Sequence, residues 1–217
     1  LINFRGRMAQ VLAHEIRNPL SNINLSASFL KEDMEQESQI EYLEMIQNNS
    51  KNIDEIVTNF LNQTKKFQLS LEKQSVHSII NNSIEICNDR LTLSGIPLVK
   101  NLGNDSQIMA DEKKLPLVFS NIILNAIDAQ KETENPEILI ESEITEGKNV
   151  ICISDNGIGM SQATIDSLFE PFFSKKKNGV GIGMVAVDSI ITQHNAYIKI
   201  DSKLGEGTKF RFIFDLI

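Results

Sequence analysis

Eight apolar residues, Met8, Leu12, Ile16, Leu20, Ile23, Ala27, Leu30 and Met34, step along the start of the chain by three or four. On a helix that advances about 100° per residue they fall on one stripe. A second stripe, Leu43, Ile46, Ile53, Val57 and Phe60, has the spacing of a coiled coil, with Ser50 as a polar interruption. Glu35-Gln36-Glu37-Ser38 lies between the stripes and reads as a turn. The pattern predicts two helices, from about Asn3 to Met34 and from about Gln39 to Lys66, folded into an antiparallel hairpin. Pro19 removes one helical hydrogen bond and is expected to bend the first of them. A single hairpin cannot enclose its own core, because each helix keeps one side of its stripe uncovered. Pairing two hairpins in a dimeric four-helix bundle buries both, so a homodimer is expected. The alternative is packing against the rest of the same chain.

His14 falls almost opposite the first stripe, with Glu15 beside it and Asn18 one turn further on. The spacing holds an imidazole in solvent next to an acid and an amide. Alone, an ordinary polar helix face reads the same way.

Beyond Phe67 the periodicity changes. Gln68 to Leu71 reads as a short strand, and Val76 to Leu93 as a helix ended by Gly95-Ile96-Pro97. Leu98 to Leu102 and Gln107 to Ala110 are strand candidates around a turn at Gly103-Asn104-Asp105. A helix from about Glu112 to Lys131 precedes strands at Ile138 to Ile144 and Val150 to Ser154. A short helix near Ala163 to Leu168 and a longer one ending near His194 precede two closing strands, Tyr197 to Asp201 and Thr208 to Phe214. Strands grouped between helices predict a mixed sheet with helices on one face.

Four stretches of this second part carry residues suited to chemistry. Asn121-Ile122-Ile123-Leu124-Asn125-Ala126 sets two amides one turn apart in an apolar helix. They suit a polar ligand, or else they cap nearby loops. Asp155-Asn156-Gly157-Ile158-Gly159-Met160 follows a strand, where a carboxylate can accept from a purine amino group and glycines let backbone approach a ligand. A plain strand-ending turn is the other reading. Gly179-Val180-Gly181-Ile182-Gly183-Met184 opens a helix, whose free N–H groups and dipole favour phosphate. It fits neither the P-loop nor the dinucleotide fingerprint. Gly205-Glu206-Gly207-Thr208-Lys209-Phe210 alone is a hairpin turn. Between the second and third lies Phe169-Glu170-Pro171-Phe172-Phe173, followed by basic residues. These aromatics suit the anchor of a hinged lid, or an ordinary core contact.

In this order the stretches resemble the sensor histidine kinase family over essentially the whole chain. His14 to Leu20 resembles its phosphoacceptor box and Asn121 to Ala126 its N box. Asp155 to Gly159, Gly179 to Gly183 and Gly205 to Phe210 resemble its G boxes, and Phe169 to Phe173 its F box. The resemblance implies an α+β multidomain chain. Residues 1–67 would be a dimerisation and histidine-phosphotransfer hairpin, and residues 68–217 an α/β-sandwich ATP-binding domain of the kind shared with gyrase and Hsp90. It implies ATP and Mg²⁺ as cofactors and a response-regulator receiver domain as partner. His14 would be the nucleophile, Glu15 its proton acceptor, and Asn18 the residue that orients a water for regulator dephosphorylation. Asn125 would hold Mg²⁺, with Asn121 near the same phosphates, and Asp155 would bind the adenine amino group. Gly157, Gly159, Gly179, Gly181 and Gly183 would shape the lid and phosphate contacts, with Lys176 at the γ-phosphate and Thr208 in the nucleotide site.

Two positions depart from the family pattern. Ser174-Lys175-Lys176-Lys177 stands where relatives commonly have two threonines before a lysine, which leaves open which lysine meets phosphate. Asp128 stands where many relatives place a basic residue, and an acid there would repel phosphate unless it faces elsewhere. A related ATPase or serine kinase, or a nucleotide-binding scaffold, remains the alternative function.

The net charge of −8 argues against a nucleic-acid partner, since no basic field exists to hold a phosphate backbone. No apolar run reaches the ~20 residues needed to span a bilayer, so no direct membrane contact is expected of this stretch. No secretory signal opens it. The two cysteines, Cys87 and Cys152, match no metal spacing and read as buried thiols. A cytoplasmic setting fits. Opening at Leu1, the chain is expected to be part of something longer.

Overall fold

The computed structural model describes residues 2–30, 39–50, 53, 69–171, 173–174, 181 and 183–217, with the backbone alone for 2–15. The chain divides into two compact units, Leu1–Phe67 with Ser174–Ile182, and Gln68–Phe173 with Gly183–Ile217.

In the first unit α1 spans Ile2–Phe29 and α2 is helical over 39–50. α1 continues across Pro19 without a break, so the proline forfeits one hydrogen bond and does not end the helix. Asn22 Nδ2 donates to Asn49 Oδ1 at 3.4 Å, and the Phe29 and Tyr42 rings stack at 5.3 Å. The later residue of α1 therefore meets the earlier residue of α2, which makes the helices antiparallel. The turn expected at Glu35 to Ser38 lies outside the described residues, as do Val57 and Phe60 of the second stripe. Leu20 is 46% exposed and Leu43 50%, so the stripes are only partly covered within one chain.

The second unit is an α/β sandwich. Its strands are β1 (Glu72–Ser75), β2 (Leu98–Leu102), β3 (Gln107–Ala110), β4 (Ile138–Thr145), β5 (Lys148–Asp155), β6 (Tyr197–Lys203) and β7 (Gly207–Asp215). Its helices are α3 (Val76–Ile86), α4 (Asn88–Ser94), α5 (Leu115–Ala129), α6 (Gln162–Ser167) and α7 (Gly183–Gln193). Five strands form one sheet in the order β2-β4-β5-β7-β6, with β2 parallel to β4 and the other pairs antiparallel. β1 and β3 make a separate antiparallel pair.

Alternation along the strands sends one set of side chains towards the helices. Ile138, Ile140, Ile151, Ile153 and Phe212 are buried there against Phe119, Ile122 and Ile123 of α5. The Phe119 and Phe212 rings meet edge to face at 5.0 Å. Each such side chain contributes about 1.5–3 kcal/mol by leaving water. The opposite face is mixed: Lys209 is bonded to Glu141 at 2.9 Å and Arg211 is paired with Asp201, beside the apolar Val150, Cys152 and Ile213.

Two expectations are corrected. The first strand is Glu72–Ser75, made one by pairing with β3; of the expected strand Gln68 to Leu71, Leu69 to Leu71 are not in a strand and Gln68 lies outside the described residues. The expected helix from Val76 to Leu93 is two, broken at Cys87, where φ −95° and ψ −2° leave the helical ladder. Both strands expected around Gly103-Asn104-Asp105 are present, and they enter different sheets: β2 joins the large sheet and β3 joins β1. Among the described residues no helix is long and apolar enough to cross a membrane.

Candidate functional site

α5 is apolar on the side that meets the sheet and polar where it meets α7. Its start is fixed by Asp111, whose carboxylate accepts from the Lys113 and Lys114 N–H groups at 3.0 Å each. These contacts, and the N–H of Ser70, hold that carboxyl below the usual range, against its own partial burial. Asn121 and Asn125 follow on one line of the helix. Asn125 Nδ2 donates to Asn121 Oδ1 at 3.2 Å and to Met184 Sδ at 3.4 Å. α7 begins at Gly183, and a Cβ there would stand 2.6 Å from Asn121 Nδ2. The two amides thus pack together under the first turn of α7.

Asp155 ends β5. It faces Ile138 of β4 on one side and Thr208 of β7 on the other. Its carboxylate accepts from the N–H of Gly157 at 2.9 Å and from the N–H of Thr208. Burial nevertheless pushes this carboxyl up to about 6, because two backbone dipoles do not replace the lost water. No cation pairs with it among the described residues.

The loop after Asp155 is fastened on both sides. Ile158 N–H donates to the Ala129 carbonyl at the end of α5, at 3.0 Å, and the Ile158 carbonyl accepts from Gly205 N–H at 2.9 Å. Asn156 accepts from Glu137 N–H and donates to the Asn135 carbonyl, both at 2.9 Å. Gly159 has φ +63°, and a Cβ on it would stand 2.0 Å from the Lys203 carbonyl oxygen. No other residue fits there. Met160 N–H donates to Ser202 Oγ at 2.8 Å, and Ser202 in turn contacts Thr208 Oγ1 at 2.9 Å.

The structure thus brings Asn121, Asn125, Asp155, Gly157, Gly159, Gly183 and Thr208 into one unit. Gly181 has φ +69° and belongs to the Ser174–Ile182 segment of the other unit. Lys176 and Gly179 lie outside the described residues. So do the side chains of His14 and Glu15, whose backbone is helical in α1. Asn18 is exposed on α1, one turn after His14.

Asp128 does face elsewhere. Its carboxylate pairs with Arg90 of α4 and with Lys131, both at 3.1 Å. Three contributors escaped the motif reading: Met184, Asn156 as the clamp on the loop before β4, and Ser202. Asn156 lies inside a G box and Met184 directly follows one, so adjacency in sequence is the available signal. Ser202 lies in no box.

The half-buried acceptor at a strand end, the paired amides and the glycine-tight turns together suit a bound purine nucleotide. A family model described as the histidine kinase-, DNA gyrase B-, and HSP90-like ATPase matches residues 110–217. A second, described as the His Kinase A (phospho-acceptor) domain, matches residues 4–66. Sporulation kinase E of Bacillus subtilis (strain 168) is 31% identical over 206 residues, covering 94% of this chain and 28% of the relative. Sensor histidine kinase ZraS of Escherichia coli (strain K12) is 29% identical over 208 residues, covering 94% of this chain and 44% of the relative. The chain therefore spans less than half the length of either. Among solved structures, histidine kinase ThkA in complex with response regulator protein TrrA superposes with a TM-score of 0.82 at 23% identity, over 100% of this chain and 63% of that one.

Proposed function

This chain belongs to the sensor histidine kinases, and on that premise we propose that it moves the γ-phosphoryl group of ATP to His14 and then to an aspartate of a response-regulator receiver domain. Residues 1–67 are the dimerisation and phosphotransfer hairpin in this reading, and residues 68–217 the ATP-binding catalytic domain. The observation that carries it is Asp155. Its half-buried carboxylate is held by backbone N–H groups alone among the described residues, and it keeps acceptor capacity for an amino group.

Each residue has a role in the transfer. Asp155 accepts from the adenine amino group, and Thr208 lies beside it. Asn121 contacts the phosphates. Asn125 is placed by the bonds of its amide to Asn121 and Met184, and an amide oxygen is a ligand type that suits a hard cation. Among the described residues no cluster of three acidic, His or Cys side chains offers an all-protein metal cage. Asn125 together with substrate phosphates is accordingly the fitting place for Mg²⁺, which when bound neutralises phosphate charge. Gly157 and Gly159 shape the base pocket. Gly179, Gly181, Gly183 and Lys176 serve the lid and the phosphates.

The neutral His14 imidazole attacks the γ-phosphorus. A P–N bond forms as the P–O bond to ADP breaks, and Glu15 accepts the proton of the other ring nitrogen. Positioning and charge neutralisation supply most of the rate. Asn18, exposed one turn from His14, orients a water that removes phosphate from the regulator. The half-exposed Leu20 and Leu43 support a homodimer that covers both stripes. The ThkA–TrrA complex supports a receiver-domain partner. A cytoplasmic location completes the proposal.

The test is incubation with Mg²⁺ and γ-labelled ATP, with His14→Gln as control. Label that is lost in acid, kept in base and absent from the variant supports the reading. ATP binding without label overturns it in favour of a scaffold or an ATPase.

A further inference from the structure

Ser202 of β6 sits where three hydrogen bonds meet. Its Oγ accepts from Met160 N–H at 2.8 Å, lies 2.8 Å from the Gly207 carbonyl oxygen and 2.9 Å from Thr208 Oγ1. A hydroxyl carries one proton and two acceptor lone pairs. The Gly207 carbonyl can only accept, so the proton on that contact must be the one Ser202 owns. Met160 N–H fills one Ser202 lone pair. The remaining lone pair can be met only by the Thr208 proton. One assignment satisfies all three contacts: Thr208 donates to Ser202, and Ser202 donates to Gly207.

The consequence falls on Thr208. Its proton is committed, so any further contact at Oγ1 must be one in which it accepts. Thr208 is the direct cross-strand partner of Asp155, and the two side chains leave the sheet on the same face. Ionised Asp155 can also only accept. The end of the β5–β7 ladder therefore presents acceptors alone, which match a purine amino group and repel a purine carbonyl.

We propose that Ser202 fixes the hydrogen-bond polarity of Thr208 and so makes the site select a 6-aminopurine nucleotide over a 6-oxopurine nucleotide. This rests on the nucleotide reading above. Ser202 is a positioning residue, since it acts through Thr208. Without it the Thr208 hydroxyl is free to rotate and donate, and a carbonyl at the 6-position becomes acceptable.

The experiment is calorimetric titration of the whole chain with ATP and with GTP, for the native protein, Ser202→Ala, Ser202→Thr and Thr208→Val. Ser202→Ala is expected to cut the preference for ATP over GTP about tenfold, the size of one net hydrogen bond. Ser202→Thr keeps a hydroxyl at the same place and is expected to retain the preference. Thr208→Val is expected to lose the same share, and adding Ser202→Ala to it changes the preference no further. Equal weakening of ATP and GTP in Ser202→Ala means a merely structural role and overturns the proposal. If Ser202→Ala does not fold, Thr208→Val decides alone, and an intact preference there overturns it. Native protein that binds neither nucleotide removes the nucleotide reading as well, whereas native ATP binding with an unaltered preference in the variants removes this inference only.

Discussion

Asp155 and Thr208 stand opposite each other in the β5–β7 ladder, and the Thr208 N–H donates into the Asp155 carboxyl. That bond and the one from Gly157 pull the carboxyl down, burial pulls it up, and burial wins, leaving it at about 6. A carboxyl titrating there is a pH-dependent ligand for an amino group. Adenine nucleotide affinity is expected to rise about tenfold between about pH 5 and about pH 8, following the ionised fraction. Calorimetry across that range checks it, with Asp155→Asn run in parallel to subtract the titration of the nucleotide itself. Identical profiles for the two proteins contradict it.

The same shift has a cost for the unliganded fold. Asp155 binds its proton more tightly folded than unfolded, so stability is fully present below the unfolded value near 3.8 and falls as pH rises through about 6. Above that window the half-buried charge costs on the order of 2–3 kcal/mol. Asp155→Asn removes the charge and keeps the shape. It is expected to melt higher than the native protein at pH 8 by about 5 °C, with the gap closing towards about pH 4. Thermal melts without nucleotide at the two pH values decide this. A variant less stable at pH 8 contradicts the assignment.

The stretches legible in the sequence are those whose residue types have few alternative uses. Glycine, asparagine and aspartate at Asn121 to Gly183 marked the site because each carries a backbone or polar constraint of its own. The stripes gave α1 and the start of α2 because periodicity is a property of one segment. β1 was displaced because Glu72-Lys73-Gln74-Ser75 has no apolar alternation and is a strand only through β3. The break at Cys87 has no glycine or proline to announce it. Whether Asp128 faces the phosphates or elsewhere is open in the sequence because its partner Arg90 is 38 residues away. Ser202 is invisible for the same reason, since its role is a relation between β6, β7 and the loop before α6.

Gly159 tests how tightly that loop is held. At φ +63° an alanine is strained, and its Cβ would meet backbone, the Lys203 carbonyl, which cannot swing aside. Gly159→Ala is expected to destabilise the catalytic unit by several kcal/mol, about 3 or more, and to shift the amide resonances of Lys203 to Thr208. Denaturant unfolding within about 1 kcal/mol of the native protein would mean that the loop yields easily.

Arg90 and Asp128 place a neutralised carboxylate one turn after Asn125. Arg90→Ala leaves Asp128 with Lys131 as its described cation. Nucleotide affinity is expected to weaken about threefold at low salt, because more of the negative charge is felt by the phosphates. Adding Asp128→Asn restores it. Binding assays at two ionic strengths check the point, and an Arg90→Ala effect that persists in the Asp128→Asn background would assign Arg90 some other task.

Gly183 differs from Gly159 in what its missing Cβ would strike. At Gly183 the nearest atom is Asn121 Nδ2, the tip of a side chain that can turn away. Gly183→Ala is therefore expected to fold with a stability loss of about 1 kcal/mol or less. The displaced Asn121 amide, however, drags on its bond from Asn125, and both amides leave the positions proposed for phosphate and Mg²⁺. ATP affinity in the presence of Mg²⁺ is expected to fall about tenfold or more, while adenosine, which has no phosphate, binds as before. Paired titrations with ATP and adenosine separate the outcomes. Equal loss for both ligands would place the damage at the base pocket, and no loss for either would mean that Asn121 takes no part in holding the phosphates.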